Sequence, residues 1–327
     1  MRILVTTRFY LNGQTTHVLA LCQELTRQHH EVFLVIGGLD HPSYLLCLQE
    51  LGIPYSRANE VMRLLPRLQV FKPEIIHNHS AHTLQSSLEL GQALGIPVVA
   101  TCHYLDFEPR CLLEQTQTVM AISEEMKEQL NLGKVPVVVV ENGVPIPPTR
   151  PHPSHAKHAV FLARFSRSKQ GNFQMAADSF RKHHWNISVV GNGRLSGVPC
   201  RGWRRDIFPE LTRAALVVGT GRAIREGMAA GCAAIVLGEY CDGIVSQANV
   251  KALEYFNFSG RFSKIKPSPD QFETFLKELT PNHLRELGDF GRAYAVQHFS
   301  IQKMAAALLE VYHSVINERE NGVNVKY

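Results

Sequence analysis

Short apolar runs alternate with amphipathic stretches along almost the whole chain. Runs at 2–7, 31–36, 75–77, 98–103, 119–122 and 137–140 are of strand length. Between them apolar residues recur at helical spacing. Over 17–29, Val18, Leu19, Leu21, Cys22 and Leu25 share one face, and further helices are predicted over 43–51, 59–71 and 83–94. Pro66 predicts a break or kink in the third of these, and Lys72-Pro73 its end. Another helix follows residue 122 and runs to Leu130. Ser123 is its predicted N-cap, and Glu124 and Glu125 suit the positive end of its dipole. Strands alternating with helices in this way predict parallel sheets in an α/β fold.

The alternation stops once. Residues 145–155 hold five prolines in eleven positions, which neither a helix nor a central strand tolerates. Beyond this linker the pattern restarts, with strands predicted at 159–164, 185–190, 199–202, 215–219 and 233–238. Helices are predicted near 172–183, 206–213 and 223–230, and two amphipathic helices, 284–298 and 301–317, close the chain. The expected organisation is a domain over 1–150, a second over 151–300, and a terminal helix over 301–327 that packs back toward the first. Two tandem α/β domains place a ligand in the cleft between them, outside the C-terminal strand ends.

Composition narrows this little until charge is divided along the chain. The 327 residues are 45% apolar, enough for two cored domains. The first strand is too short for a signal-peptide core, and no apolar run approaches membrane-spanning length. Seven scattered cysteines without a Cys-x-x-Cys pair read as reduced thiols, so the expected location is the cytoplasm. Residues 1–150 carry 11 Lys and Arg against 14 Asp and Glu, a net of −3. Residues 151–327 carry 23 against 15, a net of +8. The cations lack the aromatic interleaving of a single-strand binder. They point to a small anionic ligand rather than nucleic acid, although some, such as Arg181 and Lys182, serve solubility alone.

Two segments of the basic half suggest which ligand. Arg164 and Lys169 follow the strand at 159–164. The strand at 215–219 runs through Gly219-Thr-Gly221 into a helix that carries Glu226. Two cations beside a helix N-terminus suit a diphosphate, and a carboxylate in the first helical turn can accept hydrogen bonds from ribose hydroxyls. Glu226 also reads simply as a carboxylate stabilising the dipole, and Arg167, between the two cations, as a solvated residue.

These segments, with Asn12-Gly13, Pro73-Glu-Ile-Ile-His-Asn-His79, Val98-Val-Ala-Thr-Cys-His103, Ala121-Ile-Ser-Glu-Glu125, Val140-Glu-Asn-Gly-Val144, Val189-Val-Gly-Asn-Gly193 and Glu226-Gly-Met-Ala-Ala-Gly231, resemble the retaining family 4 of glycosyltransferases over nearly the whole chain. The order and spacing carry the resemblance. It implies the GT-B fold, two Rossmann-like domains facing a central cleft. It also implies metal-independent transfer of a sugar, with retained anomeric configuration, from a nucleotide donor to an acceptor. The second domain is then expected to bind the donor and the first the acceptor. The donor is expected to be a UDP-sugar, the cofactor set empty and the source bacterial. Membrane contact is transient at most, since Arg63, Arg67 and Lys72 are a modest basic signal; neither the acceptor nor the oligomeric state is indicated.

The resemblance also implies roles. Arg164 and Lys169 match the diphosphate-binding pair that stabilises the leaving group, and Glu226 matches the ribose-binding glutamate. His103 matches a histidine that orients the transferred sugar, and Gly13 the early glycine that lets backbone approach the donor. Gly202 and Trp203 lie where the base is contacted; Trp203 reads equally as a half-buried core residue. Gly243, Ile244 and Val245 lie where backbone contacts the diphosphate or sugar. His77 and His79 are acceptor-side candidates, and His77, His79 and His82 lack the cysteines or carboxylates that would favour a metal. One departure stands out. The family pattern Glu-x7-Glu places its first glutamate at Val218, and Thr220, Gly221 and Arg222 replace the usual loop. Arg222 is then expected to reach a phosphate or an acidic sugar, with Glu239 and Asp242 as candidates to replace the lost carboxylate. The alternatives are a degenerate nucleotide-sugar-binding protein and a GT-B sugar-nucleotide epimerase.

Overall fold

The computed structural model describes residues 1–10, 12–40, 43–57, 61–148, 157–164 and 166–321. They form two compact units, one of residues 1–142 with 301–327 and one of residues 143–300. The proline-rich segment expected to separate the domains lies mostly outside the described residues. The division falls just ahead of it, and Val144 already bridges to Ser300 within the second unit.

The first unit runs β1 (Arg2–Phe9), α1 (Gly13–Arg27), β2 (Glu31–Leu39), α2 (Ser43–Glu50), β3 (Tyr55–Arg57), α3 (Leu65–Phe71), β4 (Ile75–Asn78), α4 (Ala81–Leu94), β5 (Val98–Cys102), α5 (Arg110–Leu113), β6 (Thr118–Ala121), α6 (Glu124–Leu130) and β7 (Val137–Val139). Its sheet is parallel throughout, in the order β3-β2-β1-β4-β5-β6-β7. Side-chain caps set two of the helix starts: Asn12 accepts from the Thr15 N–H at 3.1 Å and Ser123 from the Met126 N–H at 3.3 Å. Pro66 produces no kink. A 3₁₀ turn, Val61–Leu64, precedes α3, and Pro66 sits in the first turn of that helix, where a missing N–H costs nothing. The start of this predicted helix, residues 59 and 60, lies outside the described residues.

The second unit runs β8 (His158–Ala163), α7 (Arg167–Lys182), β9 (Asn186–Gly191), α8 (Phe208–Leu211), β10 (Leu216–Gly219), α9 (Arg222–Ala229), β11 (Ala233–Leu237), β12 (Cys241–Ile244), α10 (Val250–Tyr255), α11 (Pro269–Glu278) and α12 (Pro281–His298). The sheet order is β12-β11-β10-β8-β9, parallel except where β12 turns back antiparallel to β11. One core, around Phe161, Phe173, Phe180 and Phe272, fills one face of this sheet. Another, around Val217, Ile224, Met228, Phe258 and Phe299, fills the other. Helix α9 approaches β10 so closely that a Cβ on Gly227 would lie 2.1 Å from Val217 Cγ1. The last helix, α13 (Ile301–Glu320), belongs to the first unit. Its buried Tyr312 hydroxyl lies 2.5 Å from His77 Nδ1 on β4. Among the described residues no helix is long and apolar enough to cross a membrane.

Candidate functional site

In a doubly wound sheet a crevice opens at the carboxyl ends of the two strands where the strand order reverses. In the second unit those strands are β8 and β10. The first leads to Arg164 and α7, the second to Thr220-Gly221 and α9, so the two segments singled out by charge and spacing meet at the switch point. Two glycines let the strand ends close up. A Cβ on Gly219 would lie 2.5 Å from the Leu162 carbonyl oxygen, and one on Gly191 2.0 Å from that of Ala163. Gly221 caps α9 with φ of +59°, which favours glycine.

Arg164 is exposed just past β8, and Lys169 is half-buried in the first turn of α7. The expectation for the Arg167 side chain lies outside the described residues. A third cation joins them. Asn172 Nδ2 donates to the carbonyls of Gly238 and Glu239, each at 3.0 Å, and so ties α7 to the turn between β11 and β12. Asp242 accepts from the N–H groups of Phe262 and Ser263, at 3.3 and 2.8 Å, and pins the segment carrying Arg261 over that turn. Burial pushes the Lys169 ammonium below its ordinary value; Arg261 and then Arg164 push it further, against the opposing pull of Glu239. Lys169 is thus repelled by both arginines, a repulsion that an anion beside it relieves. Nothing in the spacing around Arg261 marks it in the sequence, because it arrives from a loop about ninety residues after Lys169.

Glu226 differs from its expected setting. Helix α9 starts at Arg222, so Glu226 stands in the second turn, beyond the reach of the helix-end dipole. It is buried and forms an ion pair with Arg222, Nε to Oε1 at 2.8 Å, while Arg222 Nη1 donates to the Gly143 carbonyl at 2.8 Å. Arg222 is therefore committed to Glu226 and Gly143 rather than extended toward a phosphate. The i, i+4 spacing of the two residues was the available signal. Burial raises the Glu226 pKa, and the Arg222 charge and hydrogen bond partly offset that rise.

The remaining candidates divide. The predicted strand at 199–202 is a single parallel bridge beside β9, with the Gly191 N–H donating to the Gly202 carbonyl at 3.1 Å. This brings Gly202 and the half-buried Trp203 to the same sheet edge. Gly243, Ile244 and Val245 are not brought there. Strand β12 is antiparallel, so it carries them back toward the opposite edge: Gly243 pairs with Val236, Ile244 with Ile235, and the Val245 N–H donates to Ala234. Only the turn at Gly238 and Glu239 stays at the carboxyl edge. There Glu239 is exposed and pairs with Lys266 at 2.9 Å, while Asp242 is occupied by the 262–263 backbone. Val218, where the family's first glutamate would stand, is a buried residue of β10.

In the first unit the order reverses between β1 and β4. Gly13 opens α1 after β1, and His103 follows β5, half-buried. His77 and His79 are fully buried and line no surface. His77 is bonded on both sides, to Tyr312 and, at 2.7 Å, to Thr101. His79 Nδ1 lies 3.0 Å from His103 Nε2. The ring nitrogens of His17, His79 and His103 lie within 4.8 Å of one another, the one such three-ligand group among the described residues. Burial pushes His77 and His103 down to about 3 and holds His79 well below its ordinary value, so these three histidines are neutral. A histidine with a depressed folded pKa adds stability that is complete above the unfolded value, near 6.5, and is lost as pH falls toward the folded value. Thermal melts between pH 7.5 and 5.5 are expected to show a loss of roughly 1 kcal/mol per buried histidine per pH unit below 6.5. His77→Gln should make the dependence shallower; a flat profile for the unaltered chain would contradict that neutrality.

This pair of parallel-sheet units is the GT-B fold. The chain is similar in structure to a glycosyltransferase from Rickettsia africae, with 15% identity, a TM-score of 0.69 and coverage of 96% of this chain and 98% of that one. It is similar to HepE from Anabaena in complex with UDP and glucose, at 13% identity, a TM-score of 0.71 and coverage of 96% and 100%. Sucrose-phosphate synthase from Thermosynechococcus elongatus gives 13% identity, a TM-score of 0.67 and coverage of 97% and 100%. Residues 11–146 match the family model Glycosyltransferase Family 4. Among curated proteins none matches the chain. The family match and the fold together indicate a glycosyltransferase.

Proposed function

We propose that the protein is a retaining glycosyltransferase that draws its sugar from a UDP-linked donor held by the second unit and transfers it to an acceptor held by the first. The observation that carries this reading is the convergence of Arg164, Lys169 and Arg261 beside the switch point between β8 and β10, where α9, the helix that carries Glu226, also begins. The structural similarity to HepE, whose complexes contain UDP and UDP-glucose, supports the choice of UDP.

The three cations stabilise the negative charge that grows on the diphosphate as its bond to the anomeric carbon breaks. That is the work a divalent ion would otherwise do, and no metal is needed for it in this reading. Glu226, bonded to Arg222 through Oε1, accepts hydrogen bonds from the ribose hydroxyls. The acceptor oxygen attacks on the face the diphosphate leaves and gives its proton to the departing phosphate oxygen, which retains the anomeric configuration. His103 orients the sugar through hydrogen bonding as a neutral imidazole.

Isothermal titration with UDP, GDP, ADP and a panel of UDP-sugars tests the donor site. UDP should bind, and Glu226→Ala should weaken it about tenfold or more, as expected for loss of a hydrogen bond to a charged group. Absence of binding by every nucleotide would overturn the reading.

A further inference from the structure

The proposed mechanism leaves unused a polar group at the carboxyl edge of the first unit. Between Thr7 and Arg8 the register of β1 against β2 slips, Thr7 facing Ile36 and Arg8 facing Gly38. Such bulges re-aim a side chain. The Arg8 arm lies across Gly38, where a Cβ would stand 3.0 Å from its Cδ and Nε. Its guanidinium then reaches three side chains from three different segments. Nη2 donates to Asp40 Oδ1, just after β2, at 3.2 Å. Nη1 lies 3.4 Å from His82 Nε2, in the first turn of α4. The carbon of the guanidinium stands 4.9 Å from the centre of the Tyr10 ring, just after β1. The Arg8 Nε is buried without a hydrogen-bond partner. This group lies at the point where the strand order reverses between β1 and β4, the place where such a sheet receives a ligand.

We propose that Arg8, Tyr10, Asp40 and His82 form the acceptor subsite, and that its ligand is a saccharide engaged through two adjacent hydroxyls. The inference rests on the transferase reading for the word acceptor, but the subsite stands on its own geometry. A guanidinium and a carboxylate side by side present donors next to acceptors. That order matches a vicinal diol, one hydroxyl accepting from Arg8 and its neighbour donating to Asp40. Tyr10 adds an apolar ring of the kind that sugar C–H faces cover, and His82 a further polar edge. An anionic ligand fits less well. Asp40 already offsets the Arg8 charge, and residues 1–150 carry a net −3.

The test presents the full-length chain to an array of neutral, carboxylate-bearing and phosphate-bearing glycans, then measures the affinity of the best-bound glycan by calorimetry. The same glycan is tried against Arg8→Ala, Arg8→Lys and Asp40→Asn, with thermal melts and UDP affinity recorded for each. The expected result is binding of a neutral saccharide, weakened about tenfold by Arg8→Ala and by Asp40→Asn. Removing one of the two adjacent hydroxyls from the glycan should weaken it similarly, while UDP affinity changes less than twofold. If Arg8→Ala does not fold, Arg8→Lys and Asp40→Asn carry the comparison. The proposal is overturned if no saccharide binds, if only anionic glycans bind, or if folded variants bind as well as the unaltered chain. Saccharide binding without UDP binding would keep the subsite and remove the transferase reading; UDP binding without saccharide binding would do the reverse.

Discussion

Replacing Lys169 with alanine is expected to lower the transfer rate constant kcat about 100-fold or more, with a smaller change in donor KM. The size follows from the loss of one preorganised charge aimed at a developing anion, which typically costs two to three orders of magnitude. The split follows from the role: the diphosphate carries more charge as it leaves than as it binds. Lys169 also makes a pH prediction. Its ammonium is depressed by burial, by Arg261 and by Arg164, so it loses its proton at a lower pH than an ordinary lysine. Activity should therefore fall on the alkaline side, and Arg261→Gln should move that fall to higher pH by removing the larger of the two repulsions. Rates of UDP-sugar consumption across pH 6–10 would measure both effects. An Arg261→Gln profile superimposable on that of the unaltered chain would remove Arg261 from the site.

The second large effect is on stability. Arg222 and Glu226 form an i, i+4 pair whose side chains are only 9% and 10% exposed. Removing the arginine leaves a buried carboxylate without its ion-pair partner, which costs about 3 kcal/mol. Arg222→Met should show that loss in denaturant unfolding at neutral pH. The folded pKa of Glu226 is already raised by burial, and without Arg222 it rises further. A carboxyl raised in the folded state is tolerated best below its unfolded pKa and penalises folding as pH climbs through the folded value. The deficit of Arg222→Met should accordingly be largest at neutral and alkaline pH and shrink as pH falls toward about 4.5. Adding Glu226→Gln should restore much of the stability at pH 7. A deficit independent of pH would mean that Arg222 acts through packing or its bond to Gly143 rather than through charge.

How far the site was legible depends on the range of the signal. Arg164, Lys169 and Glu226 each sit within a few residues of a strand end or a helix start, so local spacing was enough to single them out. Gly243, Ile244 and Val245 misled because one antiparallel turn reverses the direction of β12. A strand as short as Cys241–Ile244 carries nothing in its sequence that marks its direction. His77 and His79 were legible as strand-end histidines but not as buried ones, since their cover includes Tyr312, more than two hundred residues later. Arg222 was visible as a cation, but whether it faced a ligand or its own helix depended on where α9 began. That start is set by a positive φ at Gly221.

Taken alone, the sequence determined the alternation of strands and helices, the Ser123 cap, the proline-rich interruption and the concentration of positive charge in the later half. Each is a short-range property, written in side-chain size, periodicity and backbone preference. The tertiary structure decided which loops share a sheet edge. It set Arg261 beside Lys169, joined Arg222 to Glu226, buried the histidines, and turned Arg8 across Gly38 toward Asp40 and His82. The reason is physical: strand order and register arise from burying whole faces of a sheet at once, so no local run of residues specifies which strand ends become neighbours.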